Sequence, residues 1–145
     1  NRAAEDGWTP LLIAIHNDHA ELARLLLDHD TDANQAAYGG TTPLILAAYN
    51  GNAEFTRLLL AYPGIQVNQA DKDGWTPLYI AAQNGHTAVA RLLLAADGIK
   101  VNQATNNGYT PLSSMIGRLW PWHNTVDTPA AESTRGNHLG KLKVE

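Results

Sequence analysis

The tripeptide Thr-Pro-Leu recurs four times, beginning at Thr9, Thr42, Thr76 and Thr110, in steps of 33, 34 and 34 residues. A fixed period of that size means that one supersecondary unit is repeated, and that each unit buries its apolar face against its neighbours. Three further markers keep the same register: Arg24, Arg57 and Arg91; the leucine runs 25–27, 58–60 and 92–94; and Asn-Gln-Ala at 34–36, 68–70 and 102–104. Seven positions separate Leu27 from Asn34, but eight separate Leu60 from Asn68 and Leu94 from Asn102. An insertion there lengthens a loop and leaves the helices in phase.

Each unit carries its own start and stop signals. Thr before Pro supplies a side-chain acceptor for the orphan amides of a helix and a residue whose φ is preset for the first helical position. In the third unit Leu78, Ala81 and Ala82 form one stripe at helical spacing, small enough for a neighbouring helix to approach closely. Gly85 is placed to end this helix in a left-handed turn. A second helix is expected through Val89, Leu92 and Leu93, followed by a turn at Asp97-Gly98 and a polar hairpin from Asn102 to Gly108.

The run Gly74-Trp75-Thr76-Pro77-Leu78-Tyr79-Ile80-Ala81-Ala82-Gln83-Asn84-Gly85-His86, with Leu92-Leu93-Leu94 and Val101-Asn102 beyond it, resembles an ankyrin repeat. The resemblance covers roughly residues 1–120 and implies an all-α solenoid of stacked antiparallel helix pairs with projecting β-hairpin loops. The units fall at 6–38, 39–72, 73–106 and a partial 107–120, with a divergent tail or cap at 121–145. It also implies a structural hydrogen bond for His86. Asn34, Asn68 and Asn102 match the position that asparaginyl hydroxylases modify in some ankyrin proteins, and their plainer expected role is to bond the hairpin backbone.

Departures from the repeat carry information of their own. Asp18 stands where Gly51 and Gly85 stand, so the first unit must turn with a residue that enters left-handed space less readily. Ile15, Met115 and Ile116 put bulk where the middle units have Ala47-Ala48 and Ala81-Ala82, which is expected to widen helix spacing there. After Ile116 the match fails, with Leu119 at the Gly position and Trp120-Pro121-Trp122 replacing the start of a second helix. From His123 onward the composition reads as a linker; alternatively, Trp120 and Trp122 anchor it over the end of the last leucine-rich helix.

The chain has 145 residues and no apolar stretch of membrane-spanning length, which points to one domain outside the membrane. Zero cysteines excludes disulfides and thiolate metal sites, and fits a cytoplasmic protein. Asn1–Gly7 aligns with Asn68–Gly74, so we expect the chain to be cut from a longer array. The net charge is -4, and residues 1–122 hold seven Lys/Arg against eleven Asp/Glu, the opposite of the basic face that phosphate binding requires. We expect no nucleic-acid partner.

No catalytic or cofactor set emerges. Asp28, Asp30 and Asp32 imitate the start of a calcium loop, but Ala33 and Gly39 occupy the positions of its Gly and its bidentate Glu. His16 and His19 are spaced for a metal pair, yet register puts them opposite Tyr49 and Gln83, and opposite Asn52 and His86. Ser113-Ser114 fill helix positions held elsewhere by Tyr79-Ile80, a structural replacement with no accompanying base. No glycine-rich phosphate loop, serine elbow or paired-carboxylate motif is present. We therefore expect no enzyme, no metal and no cofactor.

What remains is recognition. The resemblance implies that a protein partner docks on the concave side, on the hairpin tips and the exposed face of each first helix. By register the candidates are Glu5, Asp6 and Trp8 with His16 and Asn17; Tyr38, Gly39 and Thr41 with Tyr49 and Asn50; Lys72, Asp73 and Trp75 with Gln83 and Asn84; and Asn106, Asn107 and Tyr109. The row Trp8, Thr41, Trp75, Tyr109 places three large aromatics at equivalent hairpin sites, either as binding anchors or as packing between hairpins. We expect a monomeric, non-catalytic scaffold; alternatives are the recognition segment of a larger enzyme or secreted effector, and a spacer or self-associating array.

Overall fold

The computed structural model describes residues 6–29 and 31–119. Expectations placed on Glu5, Asp30 and the 121–145 tail, including the anchoring by Trp120 and Trp122, lie outside the described residues. Seven helices appear there: α1 (Pro10–His16), α2 (Ala20–Leu27), α3 (Pro43–Asn50), α4 (Ala53–Leu60), α5 (Pro77–Asn84), α6 (Thr87–Leu94) and α7 (Pro111–Leu119). At seven to nine residues each, none would hold its shape alone in water, so stacking is what stabilises them.

The starts and stops follow the residues that encode them. Thr9, Thr42 and Thr76 each sit in extended backbone and accept from the amide three residues on, at 3.2 Å to Leu12, 3.1 Å to Ile45 and 3.1 Å to Tyr79. Each cap contributes about 1 kcal/mol. α3 and α5 end in left-handed Gly51 and Gly85, while α1 reaches the same geometry through Asp18 at φ 60. The amides of Asp18 and His19 reach back to Ile15 and Ala14, as those of Gly51 and Asn52 reach Ala48 and Ala47.

α1 packs on α2, α3 on α4 and α5 on α6, and the units stack through the first-helix row α1–α3–α5–α7 and through α4 on α6. The core runs continuously through these layers, from Leu11, Leu12 and Ala14 through Leu44, Ala47 and Phe55 to Leu78, Ala81, Val89 and Leu93. Burial of one register position tracks its neighbours: Phe55 and Val89 are fully buried, whereas their first-unit counterpart Leu22 is 44% exposed. At the other end Leu94 is 51% exposed, against 9% for its counterpart Leu27. Among the described residues, neither Leu22 nor Leu94 has a further second helix on its outer side, the neighbour that covers the same register position between units.

Candidate functional site

The projecting loops are tight turns, with no strand among the described residues. Each is closed by a backbone bond, Ala37 N–H to Thr41 O at 2.9 Å, Asp71 N–H to Trp75 O at 3.0 Å and Thr105 N–H to Tyr109 O at 2.7 Å. Side chains reinforce two of them. Asp71 Oδ1 accepts from the amides of Asp73 and Trp75, and Thr105 Oγ1 accepts from those of Asn107 and Tyr109. The second hairpin has Ala37 at that position and relies on its backbone.

The hairpins are bonded to one another. Tyr38 donates to Asp6 O at 3.1 Å, Lys72 to Gly39 O at 3.0 Å and Asn106 to Asp73 O at 3.0 Å. The Asn106 side-chain amide adds a bond to Lys72 O at 2.9 Å. This contact demands glycine: a Cβ on Gly40, at φ +87, would lie 2.8 Å from Asp71 Cα. The tips therefore form one continuous rim held along its length by the next unit.

A second set of ties lies on the opposite loops. Asn34 donates to Gly64 O at 3.0 Å and accepts from Gln66 N–H at 2.9 Å; Asn68 does the same with Gly98 at 2.8 Å and Lys100 at 2.9 Å. These asparagines thus clamp the loop of the following unit, not the hairpin backbone, because the stacking places that loop beside them. A shallow cleft of about 500 Å³ lies between these loops, lined among others by Ile65, Asn68 and Gln103. The Asn68 side chain beside it is already engaged, its Oδ1 accepting from the Lys100 backbone N–H and its Nδ2 donating to Gly98 O.

The predicted contact residues divide into those that protrude and those that pack. Tyr38 and Tyr49 are 74% and 61% exposed, and Asp6, His16, Asn17, Gly39, Asn50, Lys72, Asn84, Asn106 and Asn107 are also exposed. Thr41, Asp73, Gln83 and Tyr109 are half-buried. Trp8 and Trp75 pack against the core as well as facing the rim. Trp8 meets the His16 ring edge-on at 5.5 Å, and Trp75 meets Tyr79 at 4.9 Å.

One polar group had no place in the sequence-based site. Tyr79 takes the position of Leu12 and Ile45 in the other units and is fully buried between α5 and α7. Burial pushes its hydroxyl well above the usual tyrosine range, the neighbouring Tyr109 adds to the rise, and a hydrogen bond with Ser114 opposes it. Ser114, itself buried, donates to Gln83 Oε1 at 2.6 Å. Ser113 instead caps α7 reciprocally with Thr110, accepting from its amide at 2.8 Å and donating its own amide to Thr110 Oγ1 at 3.2 Å. Both serines serve structure, and the only sequence signal was a tyrosine in an aliphatic register.

No group of three or more metal-ligating side chains is found among the described residues, and no described helix is long and apolar enough to cross a membrane. No curated protein sequence matches the chain. A family model described as ankyrin repeats (3 copies) matches residues 1–71 and 63–117. Period, caps, stacked helix pairs and matched residues agree: the chain belongs to the ankyrin repeat family.

Proposed function

We propose that the protein is a non-catalytic docking scaffold that holds a protein partner on its concave side, across the hairpin rim and the exposed positions of α1, α3 and α5. Ankyrin repeats are generally protein-protein interaction modules, and the finer assignment of the face is our reading of this chain. The observation that carries it is the second hairpin and the helix after it: Tyr38 projects 74% exposed from a rim whose backbone is bonded to the hairpins before and after it, and Tyr49 projects 61% exposed from α3. Exposed aromatics on a rigid support are suited to be binding anchors, since little loop entropy is lost when they are covered. Lys72, Asp73, Gln83, Asn84, Asn106, Asn107 and Tyr109 extend the face over the third and fourth hairpins and α5, with Trp8, Thr41 and Trp75 behind the tips.

The test is affinity capture with the chain as bait, beside a Tyr38→Ser/Tyr49→Ser variant whose circular dichroism is unchanged. Loss of the captured protein in the variant is the expected result. Retention by that variant, with loss instead in Arg57→Glu/Arg91→Glu on the second helices, would move the site to the opposite face. We read the scaffold as monomeric and without affinity for nucleic acid, which sedimentation and a duplex-DNA titration at low salt would check.

A further inference from the structure

We propose that the partner segment presents an arginine side chain to the junction of the first two hairpins, where Tyr38 and Asp6 receive it; this rests on the docking face proposed above. Among the described residues Tyr38 is the most exposed of the large apolar side chains, yet its position is fixed. Its amide donates to Asp6 O at 3.1 Å, and a Cβ on Gly7 would lie 2.7 Å from Tyr38 Cδ1. The ring is therefore seated on the backbone of the first hairpin, with the rest of it in solvent.

Asp6, whose carbonyl takes that backbone bond, also carries a carboxylate. Its Oδ1 accepts from the Trp8 amide at 3.1 Å, which holds the carboxylate at the turn while the residue stays exposed. An aromatic plane and a carboxylate joined through one backbone bond suit a planar cation. A guanidinium can stack on the ring while its N–H groups reach the carboxylate, whereas a lysine ammonium is a compact charge without that planar match.

The balance of charge leans in the same sense. The arginines with described side chains, Arg24, Arg57 and Arg91, lie on the second helices α2, α4 and α6, where they outnumber Glu21 and Glu54, the two carboxylates that pair with Arg24. The hairpin tips carry Asp6, Asp71 and Asp73 against Lys72. The rim accordingly attracts a basic segment and repels an acidic one.

The test titrates the full chain with N-acetyl-Gly-Arg-Gly-amide, and with its citrulline and lysine counterparts, following backbone amides by NMR. We expect the arginine peptide to shift Asp6, Gly7 and Tyr38, the citrulline peptide to bind roughly tenfold more weakly, and lysine to fall between. Tyr38→Phe should retain the response and Tyr38→Leu lose most of it. Equal binding of citrulline, or no shift at Tyr38, would overturn the arginine assignment. In that case neutral peptides that still shift the hairpin tips would leave the docking face standing, whereas shifts confined to α2, α4 and α6 would remove both.

Discussion

The junction between the first and second units and the junction between the second and third solve one packing problem with different residues. In the first, Asp18 turns the chain at φ 60, and its Oδ1 accepts from Asn52 Nδ2 at 3.2 Å. Asn52 also caps its own helix, accepting from Phe55 N–H at 3.0 Å. In the second, Gly51 turns the chain at φ 70, and a Cβ there would lie 2.6 Å from the His86 ring. His86 makes no cap bond to α6; its Nε2 instead donates to Tyr49 O at 3.1 Å. The turn residue is thus dictated by its neighbour in the next unit: beside an imidazole only glycine fits, while beside asparagine an aspartate is tolerated and bonded.

Substitutions that mix the two solutions should break this pairing. Asn52→His removes the α4 cap and sets a ring against the Asp18 Cβ, so we expect a loss of roughly 2–4 kcal/mol in chemical denaturation, about half of it recovered by Asp18→Gly. Gly51→Asp adds backbone strain and overlap with His86 and should cost about 2–3 kcal/mol, with partial rescue by His86→Asn. If either rescue fails, the two junctions are not equivalent in the way their geometry suggests.

The third junction, α5 against α7, sharpens the contrast because it is polar. Tyr79 holds its proton more tightly folded than unfolded. Stability from this group is fully present below the unfolded tyrosine value near 10 and is lost as pH rises above it. Thermal melts at rising alkaline pH should therefore fall faster for the parent than for Tyr79→Phe, and equal slopes would count against the buried hydroxyl as the cause. The smallest effect is expected for Asp18→Gly alone: relief of the left-handed backbone and loss of the Asn52 bond offset each other to within about 0.5 kcal/mol.

Asp18 also marks how far the sequence could be followed. Its left-handed turn was legible because it occupies a glycine register position, and the Thr-Pro caps were legible because both residues act within four positions of themselves. The partner of Asn34 was not legible. Its position beside the hairpin points to the hairpin backbone, yet it bonds the Gly64–Gln66 loop, which begins 30 residues away in sequence and lies beside it only after stacking. Among the candidate contacts, the three aromatics at equivalent hairpin sites, Trp8, Trp75 and Tyr109, are half-buried, with Trp8 and Trp75 packed against the core, while Tyr38, outside that row, stands out.

By itself, then, the sequence determined the period, the helix boundaries and the kind of array, since caps, apolar stripes and glycine turns depend on residues close along the chain. Only the tertiary structure decided which residue of one unit meets which of the next: that His86 forbids a side chain at Gly51, that Asn34 clamps a loop, and that Tyr38 rests on Gly7. Those pairings depend on how closely adjacent units stack, a distance that no local residue pattern encodes.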